Sequence, residues 1–508
     1  MRTNRRQSGA GNRHSGRQSA VGSKVHRPAV LVPRLPTAYS RPDSRLPAAD
    51  CRRHPSPGPL SWAFDDALSL GEKAVRLALS KGADEAEAFL SQMTGSSVDI
   101  EGGRISYASQ ASASGISIRV LCKKRLGFAY CTHEDMIDSA AARALVIARI
   151  GKKTAFDFPA RARYSRPAGM FDDKIASLTP DDSIGFSTEM VRAARAQSRG
   201  INVTGGGIEF GWSAAAIVNS NGVAIADSGT GISAGVSVTL KGRTVSTGFE
   251  HSSSRTNDID FCALGERAAR LAVESQNPTA VGTGRRTVVF TPDAFAALLG
   301  AITVPALFGE EAGRGRSVYS NMMGEAVASP LLTLTDDGLL PRGLGTSASD
   351  DEGVPSRRTV LLEKGVLKAF LYDLRSAADF GARSTASGGR GSYRSPPDTT
   401  ARNFVVEAGM QDRDHLISEI KDGLLVHEVL GAHTASSVSG DFAVSAPLLF
   451  RIKDGKLGRP LKPVMLSGNL PVLLKGLTGI GNDTKHIPGF GGAIVTGSVR
   501  AENVMVTG

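Results

Sequence analysis

Two pentapeptides, Ser114-Gly115-Ile116-Ser117-Ile118 and Ala234-Gly235-Val236-Ser237-Val238, indicate how this chain folds. Both alternate small or polar residues with β-branched residues, the pattern of a strand with one buried face. A second matched pair, Gly127-Phe128 and Gly248-Phe249, follows them. This repetition predicts two similar halves, and chance similarity between short strands is the alternative.

The same order of predicted elements surrounds each pentapeptide. In the first half, a helix at 64–81 precedes strands at 84–93, 97–103, 105–110, 114–123 and 126–132, and a helix at 134–150 follows. After a linker at 151–180, the second half has a helix at 183–198, strands at 201–211, 214–219, 222–227, 234–241 and 244–250, and a helix at 257–275. We therefore predict an α+β N-terminal domain, residues 61–280, of two similar α+β halves (about 64–150 and 183–275) with a mostly antiparallel sheet.

The positive charge of the chain is concentrated at its start. Residues 1–60 contain 12 Lys and Arg, 2 Asp and Glu, and 8 of the 24 prolines, whereas the net charge of the whole chain is +11. The remaining residues are therefore almost neutral, which argues against nucleic-acid binding by the folded body. We predict that the basic, Pro- and Arg-rich segment 1–60 is disordered, because it has too few apolar residues to form a core.

Cysteine usage and hydropathy predict a cytoplasmic protein. The cysteines Cys51, Cys122, Cys131 and Cys262 are widely spaced and form no Cys-x-x-Cys pair, which is typical of a reducing compartment. No apolar run approaches the roughly 20 residues of a membrane span. The N-terminus lacks the apolar core of a secretory signal.

From residue 285 to 508 the pattern predicts a β-dominated C-terminal domain. Gly-rich turns separate apolar runs at Leu331–Thr335, Thr359–Leu362, Val366–Tyr372, Asn403–Val406, Leu448–Ile452 and Asn503–Thr507. Short helices are predicted at Asp412–Lys421 and Leu470–Leu477. A polar loop at 384–401 is predicted to be mobile or to bind a ligand.

A helix at residues 292–304 opens this C-terminal domain. Thr291 can cap it, Pro292 suits its first position, and Asp293 complements the positive end of its dipole. Its apolar stripe consists of Phe295, Leu298, Leu299 and Ile302. Pro305 is predicted to end it.

Several separate stretches, in order over about residues 285–508, carry a resemblance to a known family. They are Ser349-Asp350-Asp351-Glu352-Gly353-Val354-Pro355, Leu362-Glu363-Lys364-Gly365-Val366-Leu367, Gly431-Ala432-His433-Thr434, Ser439-Gly440-Asp441-Phe442, Ser467-Gly468-Asn469-Leu470, Gly481-Asn482-Asp483 and Val504–Gly508. In these stretches the chain resembles the TldD/PmbA (TldE) family, also called modulators of DNA gyrase.

The resemblance implies a zinc peptidase site that this chain lacks. In the family, the TldD-type subunit carries His-Glu-x-x-x-His on a helix and a cysteine near the C-terminus. The two histidines fall at Gly300 and Pro305 here, the glutamate at Ala301, and the cysteine near Gly491. None of these residues can bind zinc or act as a base, so we expect no catalytic, cofactor-binding or metal residues in this chain.

The chain therefore resembles the PmbA/TldE type, the non-catalytic partner of TldD. This implies a heterodimer in which the TldD-type subunit holds the zinc, with a homodimer as the alternative for the isolated chain. The family's complex matures ribosomally made peptide antibiotics and degrades small unfolded proteins, so peptide or unfolded protein is the expected substrate. No membrane partner is expected.

Two groups of residues offer alternatives. His427 and His433 flank Glu428 but lie six residues apart, a spacing that fits no single metal ion on a regular helix or strand, although a tight turn at Gly431 would change this. With His486 or Asp441 they form the hypothetical site of an independent metallohydrolase. Asp350, Asp351 and Glu352 are paired carboxylates, which we interpret as a capped turn or an interface. A stand-alone peptide-binding protein is the third interpretation.

Overall fold

The computed structural model describes residues 64–489 and 492–508. The predicted disordered segment 1–60 lies outside the described residues, and so does position 491, where the family's cysteine is expected. Within the described ranges, no helix is both long enough and apolar enough to cross a membrane.

The N-terminal domain repeats one order of elements. It comprises α1 (Phe64–Ser80), β1 (Glu85–Glu101), β2 (Arg104–Cys122), β3 (Arg125–Cys131), α2 (Ile137–Ile150), α3 (Asp173–Ala176), α4 (Pro180–Ala196), β4 (Ile201–Asn219), β5 (Ala224–Lys241), β6 (Val245–Ser254) and α5 (Phe261–Glu274), with a 3₁₀ turn at Glu134–Met136. Its six strands form one antiparallel sheet in the order β3-β2-β1-β4-β5-β6. The halves α1-β1-β2-β3-α2 and α4-β4-β5-β6-α5 meet where β1 pairs with β4, which confirms the predicted α+β repeat.

The two matched glycines have the same structural role. A Cβ atom on Gly127 of β3 would lie 1.9 Å from the carbonyl oxygen of Ala144 in α2. A Cβ atom on Gly248 of β6 would lie 2.0 Å from the carbonyl oxygen of Ala268 in α5. In each half, glycine therefore lets the closing helix approach the third strand of that half, which requires the absence of a side chain.

Most of the predicted short strands are wrong in their boundaries, because they join into the long strands β1, β2, β4 and β5, whereas those at 126–132 and 244–250 correspond to β3 and β6. Thr94-Gly95-Ser96 has the composition of a turn, yet it lies inside the 17-residue strand β1. Gly95 pairs with Ala111 of β2 on one side and Gly211 of β4 on the other. Backbone pairing on both sides outweighs the weak strand propensity of the glycine.

The C-terminal domain contains many short strands and helices. They are β7 (Gly284–Phe290), α6 (Pro292–Leu298), a π-helical turn (Leu299–Thr303), α7 (Val304–Ala306), α8 (Gly309–Gly313), β8 (Leu334–Asp337), β9 (Arg358–Glu363), β10 (Val366–Leu367), α9 (Leu374–Asp379), β11 (Gly388–Gly389), β12 (Asp398–Thr399), β13 (Asn403–Val406), α10 (Arg413–Ser418), β14 (Asp422–Leu430), a 3₁₀ turn (Ala432–Thr434), β15 (Asp441–Lys453), β16 (Lys456–Pro460), β17 (Val464–Asn469), α11 (Leu470–Lys475), β18 (Leu477–Ile480), β19 (Lys485–Gly489), β20 (Gly492–Thr496) and β21 (Val499–Thr507). This confirms the β-dominated character of the domain.

One sheet of this domain closes on itself. Strands β14, β7, β21, β17 and β15 are paired in that order, and β15 pairs again with β14. A second sheet has the order β10-β9-β8-β13-β20-β19. Helix α6 packs its buried residues Phe295 and Leu298 into the hydrophobic core that these elements share.

The predicted end of the helix at Pro305 is wrong. Thr291 caps α6 as predicted, accepting a hydrogen bond from the Ala294 amide, and Asp293 lies in the first turn. The helical path then widens into the π turn and continues through Pro305 to Ala306. A π turn inserts one extra residue into the helix, and this accommodates a proline that has no N–H group to donate.

Three further boundaries differ from the prediction. Of the apolar run Val366–Tyr372 only Val366–Leu367 forms a strand, and Leu371 pairs with Phe308 in an isolated parallel bridge. The two predicted short helices shrink to α10 and α11. The loop at 384–401 packs into the protein, since the side chain of Arg390 has no exposed surface and Tyr393 is 5% exposed.

Candidate functional site

The helical segment α6–π–α7 contains the positions that the family pattern assigns to zinc binding. On a regular α-helix, residues five apart point about 140° away from each other. Across a π turn, in which residue i pairs with residue i+5, they lie on the same face. The π turn at Leu299–Thr303 therefore places positions 300 and 305 together, as a His-x-x-x-x-His spacing requires.

The residues at these positions have no side-chain atoms that bind metal. Gly300 is buried, and Ala301 and Pro305 are half-buried. Ala301 packs against the hydrophobic core, together with Ala297 and Phe308. The backbone geometry suits the family's motif, whereas the residues provide neither imidazole nor carboxylate.

Charged side chains surround the N-terminal end of α6. Asp293 Oδ1 lies 2.6 Å from His251 Nε2 of β6, and Asp293 Oδ2 accepts a hydrogen bond from Lys485 Nζ of β19 at 2.9 Å. Lys485 also donates to Glu250 Oε1 of β6 at 2.9 Å. This cluster joins the edge strand of the N-terminal sheet to the C-terminal domain.

The opposite charges in this cluster stabilise one another. Burial alone would raise the pKa of Asp293, but the hydrogen bond from His251 and the charge of Lys485 hold it well below its usual range. Burial would lower the pKa of Lys485, yet Asp293 and Glu250 raise it. Each charge is thus compensated by its partners, which favours a fixed contact between domains over proton transfer.

The histidines of the alternative metal site do not converge. His427 lies in β14 with its ring centroid 5.5 Å from that of Phe450, His433 is exposed on the 3₁₀ turn, and His486 lies in β19 of the other sheet. Gly431 does form a left-handed turn, with φ +88°. Even so, across residues 64–489 and 492–508 no group of three or more His, Cys, Asp or Glu side chains could hold a metal ion.

His427 makes the fold sensitive to acid. Burial lowers its pKa to about 4, from an ordinary value of about 6.5. Between these two values the unfolded chain binds a proton that the folded chain does not, so stability is full above pH ~6.5 and falls as the pH drops toward 4. Replacing His427 with Gln should therefore reduce the loss of unfolding free energy between pH 7 and pH 5 by about 1–2 kcal/mol.

Urea denaturation at the two pH values measures this difference. The exposed His433→Gln variant is the control and should behave like the parent chain. An unchanged pH dependence in His427→Gln would assign the acid sensitivity to other groups.

A second charged cluster joins the domains on the far half of the N-terminal sheet. Arg119 of β2 donates to Glu87 Oε2 of β1 at 2.7 Å and to Glu352 Oε1 of the C-terminal domain at 2.8 Å. Arg390, from the loop predicted to be mobile or to bind a ligand, donates to Glu87 Oε1 at 2.5 Å. At most 2% of any of these four side chains is exposed.

Sequence reasoning missed Glu87 and Arg119. Their neighbours in the sequence could have indicated them, since Glu87 stands between Ala86 and Ala88, and Arg119 stands between Ile118 and Val120. A charged residue inside an apolar strand indicates a buried partner. His251 and Lys485 carried no comparable signal.

The carboxylates at 350–352 build a turn and an interface, as predicted. Asp350 Oδ1 accepts hydrogen bonds from the amides of Glu352 at 3.0 Å and Val354 at 2.9 Å. Burial and the neighbouring charge of Glu352 raise the pKa of Asp350 to about 8. A polar cavity of about 190 Å³ lies beside it, between β4–β5 and residues 344–351, and Arg255 and Arg402 line it.

Three domain models of one protein family together match most of the described chain. The family model described as "PmbA/TldA metallopeptidase C-terminal domain" matches residues 283–508. The central-domain model of the same family matches residues 173–276, and its domain 1 model matches residues 86–148.

Several relatives align over most of their length. The uncharacterized protein MJ0231 of Methanocaldococcus jannaschii is 31% identical over 405 residues, which is 80% of this chain and 93% of that protein. Metalloprotease PmbA of Escherichia coli O157:H7 is 25% identical over 81% of this chain and 91% of its own. The crystal structure of TldE from Thermococcus kodakarensis, 26% identical, superposes with a TM-score of 0.81 over 86% of this chain and 100% of that one.

Proposed function

Because this chain belongs to the PmbA/TldD metallopeptidase family, we propose that it is the non-catalytic, TldE-like subunit of a two-chain zinc metalloprotease. The observation that carries the proposal is the composition of the helical segment α6–π–α7. It has a π turn, which brings residues i and i+5 to one face, while Gly300, Ala301 and Pro305 stand where the family pattern has the two histidines and the glutamate.

The chemistry of these three residues favours a structural role. A hydrolytic zinc site needs about three protein ligands, an open position for water, and a group that transfers protons. Hydrogen and methyl groups at positions 300 and 301, and a pyrrolidine ring at 305, supply none of them. Zinc binding and catalysis are accordingly assigned to a TldD-type partner.

The neighbouring charged cluster supports the same assignment. At the start of α6, Asp293 is held by hydrogen bonds with His251 of β6 and Lys485 of β19. This arrangement holds the helix in place against the N-terminal sheet. It suits a subunit that shapes a chamber for peptide or unfolded protein more than one that performs the hydrolysis.

We further propose that the complex works in the cytoplasm on extended peptide. An extended chain can bind through backbone pairing with an exposed strand edge, which gives affinity with little sequence specificity. The folded body is not assigned a nucleic-acid or membrane partner.

Metal analysis and co-purification test the proposal together. The purified chain is expected to contain far less than one zinc per molecule and to leave an unstructured test peptide intact. Co-expressed with a His-Glu-x-x-x-His-bearing relative from the same genome, it should co-purify with that protein in a stable ratio. The mixture should then cleave the peptide, and a chelator should stop the cleavage.

Each contrary result has a distinct meaning. About one tightly held zinc per chain, or cleavage by the chain alone, would contradict the non-catalytic assignment. A genome that encodes no such relative would instead favour a stand-alone peptide-binding protein. The matched control is the partner carrying alanine at its two motif histidines, which should still co-purify and should not cleave.

A further inference from the structure

We propose that a groove on the N-terminal domain, between the tip of the β1–β2 hairpin and helix α4, binds a carboxylate that is attached to a short apolar group. The groove encloses about 330 Å³. This lies at the lower end of the size range of small-molecule sites. Nothing in the proposed subunit role requires this groove, so its function would be additional.

The floor and the rim of the groove differ in chemistry. Ile100 and Val191, both buried, form the floor, and Ile105 adds a partly exposed side. Three arginines, Arg104, Arg192 and Arg195, also line the groove. An apolar floor under a basic rim complements a molecule with a short hydrocarbon body and one negative end.

The basic groups are available to a ligand. None of these arginines forms an ion pair with another residue in the described parts of the chain. Glu101 is the register partner of Arg104 across the hairpin and offsets part of its charge. Arg192 and Arg195, three residues apart on α4, are therefore the stronger candidates to hold a carboxylate.

Two local features indicate that this groove is more than a gap between elements. Ser187 lines it and is 1% exposed, and its hydroxyl group has no hydrogen-bond partner among the described residues. A buried polar group of this kind normally has a partner.

The absence of a side chain at Gly103 leaves room for the guanidinium group of Arg195. A Cβ atom there would lie 2.1 Å from Arg195 Nη2, and the backbone has φ +70°. Arg195 Nη2 also approaches the Gly102 carbonyl oxygen at 3.5 Å. The hairpin tip thus holds one guanidinium at the edge of the groove.

Matched acid and amide probes test the site. The full chain is titrated with isovalerate, with the peptide acetyl-Ala-Ala-Leu, and with the amides of both, using isothermal titration calorimetry. Each acid should bind at least about tenfold more tightly than its amide, because a charge-assisted hydrogen bond contributes about 1.5 kcal/mol or more. Tighter binding of the peptide would identify a peptide C-terminus as the source of the carboxylate, and tighter binding of isovalerate a free acid.

Variants locate the binding. The double variant Arg192→Gln/Arg195→Gln should weaken acid binding at least about tenfold and leave the weak binding of the amide unchanged. The nearby, exposed Arg199→Gln variant is the control and should bind like the parent chain. Gly103→Ala, which displaces Arg195, should also weaken acid binding.

Three results would overturn the proposal. The first is equal binding of acid and amide, and the second is no binding of either acid at millimolar concentration. The third is acid binding that survives in Arg192→Gln/Arg195→Gln. Circular dichroism melting of each variant shows whether it is folded, and Gly103→Ala provides the second test if the arginine variants are unstable.

Discussion

Replacing Arg119 with Met is expected to lower the free energy of unfolding by about 3–5 kcal/mol. Burial alone would lower the pKa of Arg119, but the carboxylates of Glu87 and Glu352 raise it above its usual range. Without this guanidinium, both carboxylates lose charge-assisted hydrogen bonds at sites with no exposed surface. Glu87 retains Arg390, whereas Glu352 retains only the Leu374 amide at 2.7 Å among its hydrogen-bond donors in the described chain.

Urea denaturation followed by the fluorescence of Trp212, which lies in β4 of the same sheet, measures the loss. Arg104→Met, on the same strand but exposed, is the control and should change stability by no more than about 0.5 kcal/mol.

The pH dependence of the Arg119→Met defect separates lost charge from lost packing. With the positive charge removed, the folded pKa of Glu352 should rise further, since burial already raises it. A carboxyl group with a raised folded pKa destabilises the protein increasingly as the pH rises above its unfolded pKa of about 4.3. The loss of unfolding free energy in Arg119→Met should therefore be smaller at pH 5 than at pH 8. A defect below about 1 kcal/mol, or one independent of pH, would contradict the account of a buried ion network.

Replacing Phe295 with Ala is the second change with a large expected effect. It should lower the free energy of unfolding by about 3–5 kcal/mol. Phe295 has no exposed surface and lies in α6, within the main core cluster of the C-terminal domain. The closed sheet and the second sheet both pack against α6, so the cavity left by the ring has little room to collapse.

The control for Phe295 is an exposed phenylalanine. Phe171 is 41% exposed, so replacing it with Ala should lower the free energy of unfolding by about 1 kcal/mol or less. Partner binding gives a further readout, because loosening α6 should also weaken co-purification with a TldD-type protein if this segment supports the complex. A loss similar to that of Phe171→Ala would show that α6 is not essential to the core.

The main features of the fold could be predicted from local patterns. The repeat signalled by Ser114–Ile118 and Ala234–Val238, the capping by Thr291, and the β-rich C-terminal domain all follow from short-range periodicity and turn chemistry. Strand boundaries could not be predicted, since Thr94-Gly95-Ser96 becomes strand only through pairing on both sides. For the candidate site, the sequence predicted that metal ligands are missing at Gly300, Ala301 and Pro305. It could not predict how these three positions are arranged in space.

For this protein, then, the sequence alone determined the α+β repeat, the family resemblance and the absence of metal-binding side chains at Gly300, Ala301 and Pro305. These depend on residue identity and on spacing along one element. Only the tertiary structure decided the π turn that places positions 300 and 305 on one face, and the pairing of Arg119 with Glu352, 233 residues apart. The reason is physical: a helix can widen at a proline, and a strand can bury a charge, only where distant parts of the chain supply compensating contacts.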